Sequence, residues 1–133
     1  MLEDKRIIVT GSARGMGLAT LTAFVQAGAH VVGMDINDAD GDQAARDANA
    51  LGPGKATYLH IDIADKSSVE TAFQEAVNWL GGLDVLAHPA AIQAGSAASD
   101  VSVEHWDQMF AVNVRGTMIT NQAAYHHMKA AGG

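Results

Sequence analysis

The octapeptide Thr10-Gly11-Ser12-Ala13-Arg14-Gly15-Met16-Gly17 follows the β-branched run Ile7-Ile8-Val9 and precedes Leu18, Leu21 and Val25, which recur at helical spacing. A strand, a glycine-bearing turn and a helix in that order leave few folds open. Glycine lets the backbone reverse sharply and approach a ligand closely, and the free amides and positive dipole end of the helix favour an anion such as a pyrophosphate. A glycine cluster also serves as a bare tight turn, so its context has to decide. Asp35 ends the second apolar run, Val31-Val32-Gly33-Met34, 20 residues after Gly15. An acidic side chain there can accept hydrogen bonds from adenosine ribose hydroxyls; its plain alternative is a solvated strand end or a helix cap.

The rest of the chain repeats the alternation. A polar, alanine-rich stretch over residues 38–51 reads as a helix closed by Gly52-Pro53-Gly54, and Tyr58-Leu59-His60-Ile61 reads as a third strand. Ser67-Ser68-Val69-Glu70 has the form of a capping box, and Val69, Ala72, Phe73, Ala76, Val77 and Leu80 form one apolar face that stops at Gly81-Gly82. Val85-Leu86-Ala87 is the fourth strand, and one last helix starts after Ser102. Strands alternating with helices imply an α/β fold with a parallel sheet, and right-handed crossovers imply the strand order 3-2-1-4. A chain of 133 residues is expected to form a single domain.

Composition narrows the function. Only 8 Lys and Arg are scattered through a chain of net charge −7, so no basic stripe offers itself to nucleic acid. No run approaches the roughly 18 apolar residues of a membrane span. With 0 cysteines, disulfides, thiolate metal sites and thiol catalysis are excluded, which suits a reducing, cytoplasmic setting. Adjacent His126 and His127 would point about 100° apart on a helix, so they make no one-face metal site.

The spacing Gly11-x3-Gly15-x-Gly17 after Thr10 resembles the glycine pattern of the short-chain dehydrogenase/reductase family. Asp62-Ile63 after the third strand, Asp84-Val85-Leu86, Trp106 and Asn113-Val114-Arg115-Gly116 are similar to further motifs of that family, so the likeness runs along essentially the whole chain. The resemblance implies a Rossmann-type sheet and hydride transfer between NAD and an alcohol/carbonyl pair, with NADP the lesser choice because of Asp35. It implies that Gly11, Ser12, Arg14, Gly15, Met16 and Gly17 serve the phosphates, Asp35 the ribose, and Asp62 and Ile63 the adenine. Ala90 would lie beside the cofactor, and Asn113 would support catalysis.

Two departures stand out. Where the family carries Asn-Asn-Ala-Gly after the fourth strand, this chain has His88-Pro89-Ala90-Ala91. Proline removes a backbone donor, and alanine in a slot that wants positive φ costs roughly 1 kcal/mol. His88 reads either as a proton carrier or as a hydrogen-bonded structural histidine, the second more readily. The family's Ser after a fifth strand and its Tyr-x3-Lys pair also have no counterpart. Tyr125 and Lys129 have the spacing, but they fall 12 residues after Asn113 on the same expected helix, with no strand between to turn the chain back over a cofactor. Two readings therefore stand: the nucleotide-binding portion of an oxidoreductase, or a non-catalytic dinucleotide-binding sensor or interaction module. A fifth strand would begin near Gly132-Gly133. Without it, the fourth strand and the apolar face Trp106, Phe110, Val114, Met118 would lie open, implying a homo-oligomer or association with a second half.

Overall fold

The computed structural model describes residues 1–132. The chain forms β1 (Arg6–Thr10), α1 (Gly15–Gln26), β2 (His30–Asp35), α2 (Asp38–Asn49), β3 (Lys55–His60), α3 (Lys66–Leu80), β4 (Val85–Ala87) and α4 (Val103–Phe110). A π-helical segment, Ala111–Gly116, then leads into α5 (Thr117–Ala130). The four strands are parallel in the order β3-β2-β1-β4, as the crossover rule implies. Every β-carboxyl end therefore opens at the same edge of the sheet, where an α/β fold holds its ligand.

The pleat sorts each strand onto two cores. Ile7, Val9 and Val31 pack with Leu21 and Val25 of α1 and Ala44, Ala45 and Ala48 of α2. Ile8, Val32 and Met34 pack with Val69, Phe73 and Ala76 of α3 and Ile119 and Ala124 of α5. Burial on both faces explains why β1 and β2 read as continuous apolar runs rather than as alternating ones.

Several boundaries differ from expectation. β3 begins at Lys55, three residues before Tyr58, because its ladder with β2 starts at the pair His30↔Lys55. α2 stops at Asn49, whose carboxamide turns to β3: Oδ1 accepts from the Ala56 amide at 2.7 Å and Nδ2 donates to the Ala56 carbonyl at 2.9 Å. The expected capping box at Ser67 is not used. Asp65 caps α3 instead, its Oδ1 accepting from the amides of Ser67 and Ser68 at 2.9 and 3.4 Å, and the Ser68 hydroxyl accepts from the Asp62 amide. A charged carboxylate outcompetes a hydroxyl for helix-opening amides. The single last helix is interrupted by the π segment.

Gly81 closes α3 in the left-handed region, φ 75°, as the Gly81-Gly82 pair implied. Among the described residues, no strand pairs with the far edge of β4. Trp106, Phe110, Val114 and Met118 are 54, 47, 56 and 54% exposed, so this face is open to solvent in the chain alone. Gly133, where a fifth strand was expected to begin, lies outside the described residues. No helix among them is long and apolar enough to cross a membrane.

Candidate functional site

A cavity of about 410 Å³ sits at the carboxyl edge of the sheet. Its floor is the turn between β1 and α1, contributed by Gly11, Arg14, Met16 and Gly17. Gly11 has φ 64°, a conformation that favours glycine, and a Cβ built on it would lie 2.8 Å from Ala90 Cα. A Cβ on Gly17 would lie 1.8 Å from the Gly11 carbonyl oxygen. Both glycines are thus needed for the turn to close on itself.

The turn divides its amides. Ser12 donates to the Met34 carbonyl at 3.1 Å and Ala13 to Asp35 Oδ2 at 3.0 Å, which fastens the turn to the end of β2. Among the described residues, the amides of Arg14, Gly15, Met16 and Gly17 donate to nothing in the chain. No acidic side chain stands in the first turn of α1. Unpaired amides at a helix opening favour an anion.

The side walls come from the segments after β2, β3 and β4. Asp35 and Ile36 stand on one side, with Asp35 Oδ1 accepting from the Asn37 amide at 3.0 Å. Ile61, Asp62, Ile63 and Ala64 form the next wall. That loop is held by Asp62 Oδ1, which accepts from the Ala64 amide, by Arg115, which donates to the Ala64 carbonyl, and by the close approach of Gly116 to Ile63. Pro89, Ala90, Ala91 and Ile92 line the third side, and Gln108, Ala111 and Val112 complete it. A row of free amides beside an apolar slot with carboxylates at its rim suits an anionic ligand bearing a flat ring and sugar hydroxyls.

The structure thus gathers Gly11, Arg14, Met16, Gly17, Asp35, Asp62, Ile63 and Ala90 around one cavity. Gly15, φ 57°, shapes the turn without lining the cavity. Ser12 is fully buried, its hydroxyl faces Gly33 rather than the cavity, and that hydroxyl has no hydrogen-bond partner. Asn113 stands behind the wall. Its Oδ1 accepts from the Ile92 amide at 2.8 Å and its Nδ2 donates to the Ile92 carbonyl at 2.7 Å, so both ends of the carboxamide grip the loop.

The loop after β4 departs from the strain anticipated for it. Asp4 alone among non-glycine residues has positive φ, so Ala90 and Ala91 occupy ordinary backbone conformations. The close approach is accommodated on the other side, by Gly11. His88 is hydrogen-bonded to Thr10 and Thr117, and burial lowers its pKa. Tyr125 lies on the exposed surface of α5 with the Lys129 ammonium 5.6 Å from its ring centroid, away from the cavity lining.

Sequence reasoning missed Gln108, Ala111, Val112, Ile36, Ile61, Ala64 and Ile92. The signal for the first three was present: their i, i+3, i+4 spacing is one helical face. Another cluster lies just outside the cavity, where Tyr58 donates to Asp38 Oδ1 and to the Asp35 carbonyl, both at 2.7 Å, and His60 Nδ1 lies 2.7 Å from Asp38 Oδ1. Hydrogen bonds from Tyr58 and His60 hold the Asp38 carboxyl below its usual range, while burial and Asp38 push the Tyr58 phenol up.

A family model described as short chain dehydrogenase matches residues 5–133. The chain is 36% identical over 132 residues to sorbitol dehydrogenase of Cereibacter sphaeroides, covering 98% of this chain and 50% of that protein. It is 40% identical over 119 residues to 2,5-dichloro-2,5-cyclohexadiene-1,4-diol dehydrogenase of Sphingobium indicum, covering 89% and 46%. A solved short-chain type dehydrogenase/reductase from Mycobacterium ulcerans superposes with TM-score 0.93 at 28% identity, over 98% of this chain and 49% of that one. A short chain dehydrogenase from Burkholderia cenocepacia J2315, solved in complex with NADP, gives TM-score 0.88 at 30% identity, over 96% and 52%. The chain spans about half the length of the curated relatives it matches.

Proposed function

The chain belongs to the short-chain dehydrogenase family, and from that premise we propose that it is the NAD-binding portion of an oxidoreductase that moves hydride between the nicotinamide and an alcohol/carbonyl pair. The observation that carries the reading is the single cavity joining the free amides of the β1–α1 turn to Asp35 and Asp62. In this reading the amides at the opening of α1 hold the pyrophosphate, and Arg14 adds its charge at the rim. Asp35 receives the adenosine ribose hydroxyls while keeping the Ala13 and Asn37 amides, since each carboxylate oxygen has more than one lone pair. Asp62 and Ile63 border the adenine, and Ala90 leaves the cofactor room beside Gly11. A bound nicotinamide supplies the hydride chemistry. Asn113 supports it from behind by fixing Ile92. The preference for NAD follows from Asp35, which would repel a 2′-phosphate at close range.

The open edge of β4 and the exposed Trp106, Phe110, Val114 and Met118 support association, either with a second copy or with further strands and helices of the same enzyme. Calorimetric titration with NAD and NADP tests the cofactor reading, and tighter binding of NADP would overturn the preference. An NAD-linked assay of the full natural protein on a panel of secondary alcohols tests the reaction class. Cofactor binding without turnover on any of them would favour the sensor reading.

A further inference from the structure

We propose that His88 is a positioning residue of the nucleotide cavity: as the Nε2–H tautomer it ties Thr10 at the end of β1 to Thr117 on α5, and it fixes loop 89–92 only while the ring carries a single proton. The tautomer stands on hydroxyl geometry alone; its functional consequence rests on the nucleotide reading above.

A threonine hydroxyl has one hydrogen to give. That of Thr117 goes to the Asn113 carbonyl at 2.8 Å, so Thr117 Oγ1 can only accept from His88 Nε2, 3.2 Å away. Thr120 likewise gives its hydrogen to the Gly116 carbonyl at 2.9 Å and stays 3.5 Å from each ring nitrogen. The neutral ring therefore carries its proton on Nε2. Nδ1 is left as an acceptor, and Thr10 Oγ1 stands 2.7 Å from it.

Thr10 is fully buried, and among the described residues its hydroxyl has no other hydrogen-bond partner. A second proton on Nδ1 would turn Thr10 into an acceptor and leave its hydrogen unplaced, a costly arrangement out of reach of water. The groups facing the ring are Thr10 from β1 and Thr117 and Thr120 from α5; no charged group is among them, and burial alone lowers the His88 pKa.

The ring matters to the cavity because of where it stands. Loop 89–92, all of whose residues line the cavity, is held at three points. The first is His88 itself, the second is the contact of Ala90 with the Gly11 backbone, and the third is the grip of Asn113 on Ile92. Thr117 joins the first point to the third, since it bonds both His88 and the Asn113 carbonyl. Releasing His88 loosens the wall and the segment behind it together. Because the ring favours its neutral form in the fold, this positioning is complete above the ordinary histidine value of 6.5 and fades as pH falls through the lowered His88 value.

Ring-nitrogen NMR shifts of the full natural protein test the tautomer. Near pH 8 the expected result is a protonated Nε2 and a bare Nδ1; the reverse assignment overturns the proposal. Titration with NAD should show binding several-fold weaker near pH 5 than near pH 8, because protonation of the ring removes its hold on the loop. His88→Asn keeps an acceptor for Thr10 but cannot be protonated, so its affinity, whatever its level near pH 8, should stay flat over the same pH range. Equal pH slopes in the two proteins overturn the positioning role. If the variant does not fold, the wild-type ring titration decides instead: a His88 midpoint at or above 6.5, or one unrelated to the affinity midpoint, overturns it. Absence of NAD binding at every pH defeats the nucleotide reading and the functional half of this proposal, while the ring spectra still decide the tautomer.

Discussion

Replacing Gly17 by alanine tests the turn at its tightest point. The added Cβ would stand 1.8 Å from the Gly11 carbonyl oxygen, 2.5 Å from its carbon and 3.1 Å from Ser12 Cα. To restore ordinary contact these backbones must part by roughly 1.5 Å, and close-packed interiors have no slack on that scale. Gly11 cannot easily take up the shift, because its own Cα already rests against Ala90 and its φ of 64° is fixed by the reversal of the chain. Overpacking of this kind costs about 1–3 kcal/mol, and a clash of backbone on backbone belongs at the upper end. Gly15→Ala is the internal comparison. Its Cβ would meet nothing within 4 Å, so only the left-handed φ of 57° is penalised, by about 1 kcal/mol. Thermal unfolding followed by circular dichroism should therefore lower Tm by about 10 °C for Gly17→Ala and about 3 °C for Gly15→Ala. Calorimetry should show NAD binding weakened at least about tenfold by Gly17→Ala, since the displaced residues carry the free amides. A Gly17→Ala protein no less stable than Gly15→Ala would refute the reasoning, because the two differ chiefly in the clash.

Three further outcomes are expected. Asp35→Ala should narrow the preference for NAD over NADP and, by freeing the Ala13 and Asn37 amides, lower stability by about 1 kcal/mol; an unchanged cofactor ratio in calorimetry would separate Asp35 from the ribose. Arg6 donates to both carboxylate oxygens of Asp84, at 2.9 and 2.6 Å, and holds its pKa down at about 2. This pair is complete above the ordinary aspartate value of 3.8 and lost as pH falls toward 2. Asp84→Asn should therefore cost about 1 kcal/mol in neutral urea melts, and a deficit that persists at the acid limit would point to another cause. Tyr125→Phe should leave NAD affinity and any turnover of the full natural protein unchanged, since the ring lies on the surface of α5; a 100-fold loss, on the order of a missing general acid, would put the active site where it is not expected.

What could be read from the sequence is what neighbouring residues decide among themselves. Ile7-Ile8-Val9 and Val31-Val32 announce strands buried on both faces, and the glycines between β1 and α1 announce a reversal that no other residue type would make. With those elements in hand, the observed strand order is one that right-handed crossovers allow. The start of β3 was hidden because Lys55 has no strand preference of its own and is drawn in by His30 across the ladder. The cap of α3 was hidden because the capping-box pattern starting at Ser67 fits the sequence equally well, while Asp65, two residues earlier, takes the amides of Ser67 and Ser68 and leaves the Ser68 hydroxyl to the Asp62 amide.

The π segment is the clearest case of a feature that local sequence does not carry. Nothing in Ala111-Val112-Asn113-Val114-Arg115-Gly116 forbids a regular helix. The groups that bear on it come from elsewhere: Asn113 is held by Ile92, Gly116 rests on Ile63 where a Cβ would stand 2.9 Å from the carbonyl oxygen, and Arg115 reaches the Ala64 carbonyl. The contacts reach two loops at the carboxyl edge of the sheet, Asn113 the loop after β4 and Arg115 and Gly116 the loop after β3, so the register of the segment is set by the cavity walls it touches. A widened turn lets Asn113, Arg115 and Gly116 meet three separate anchors, and π turns occur often where function demands such a register. The segment is therefore better understood as part of the cavity's frame than as a defect in α4 and α5.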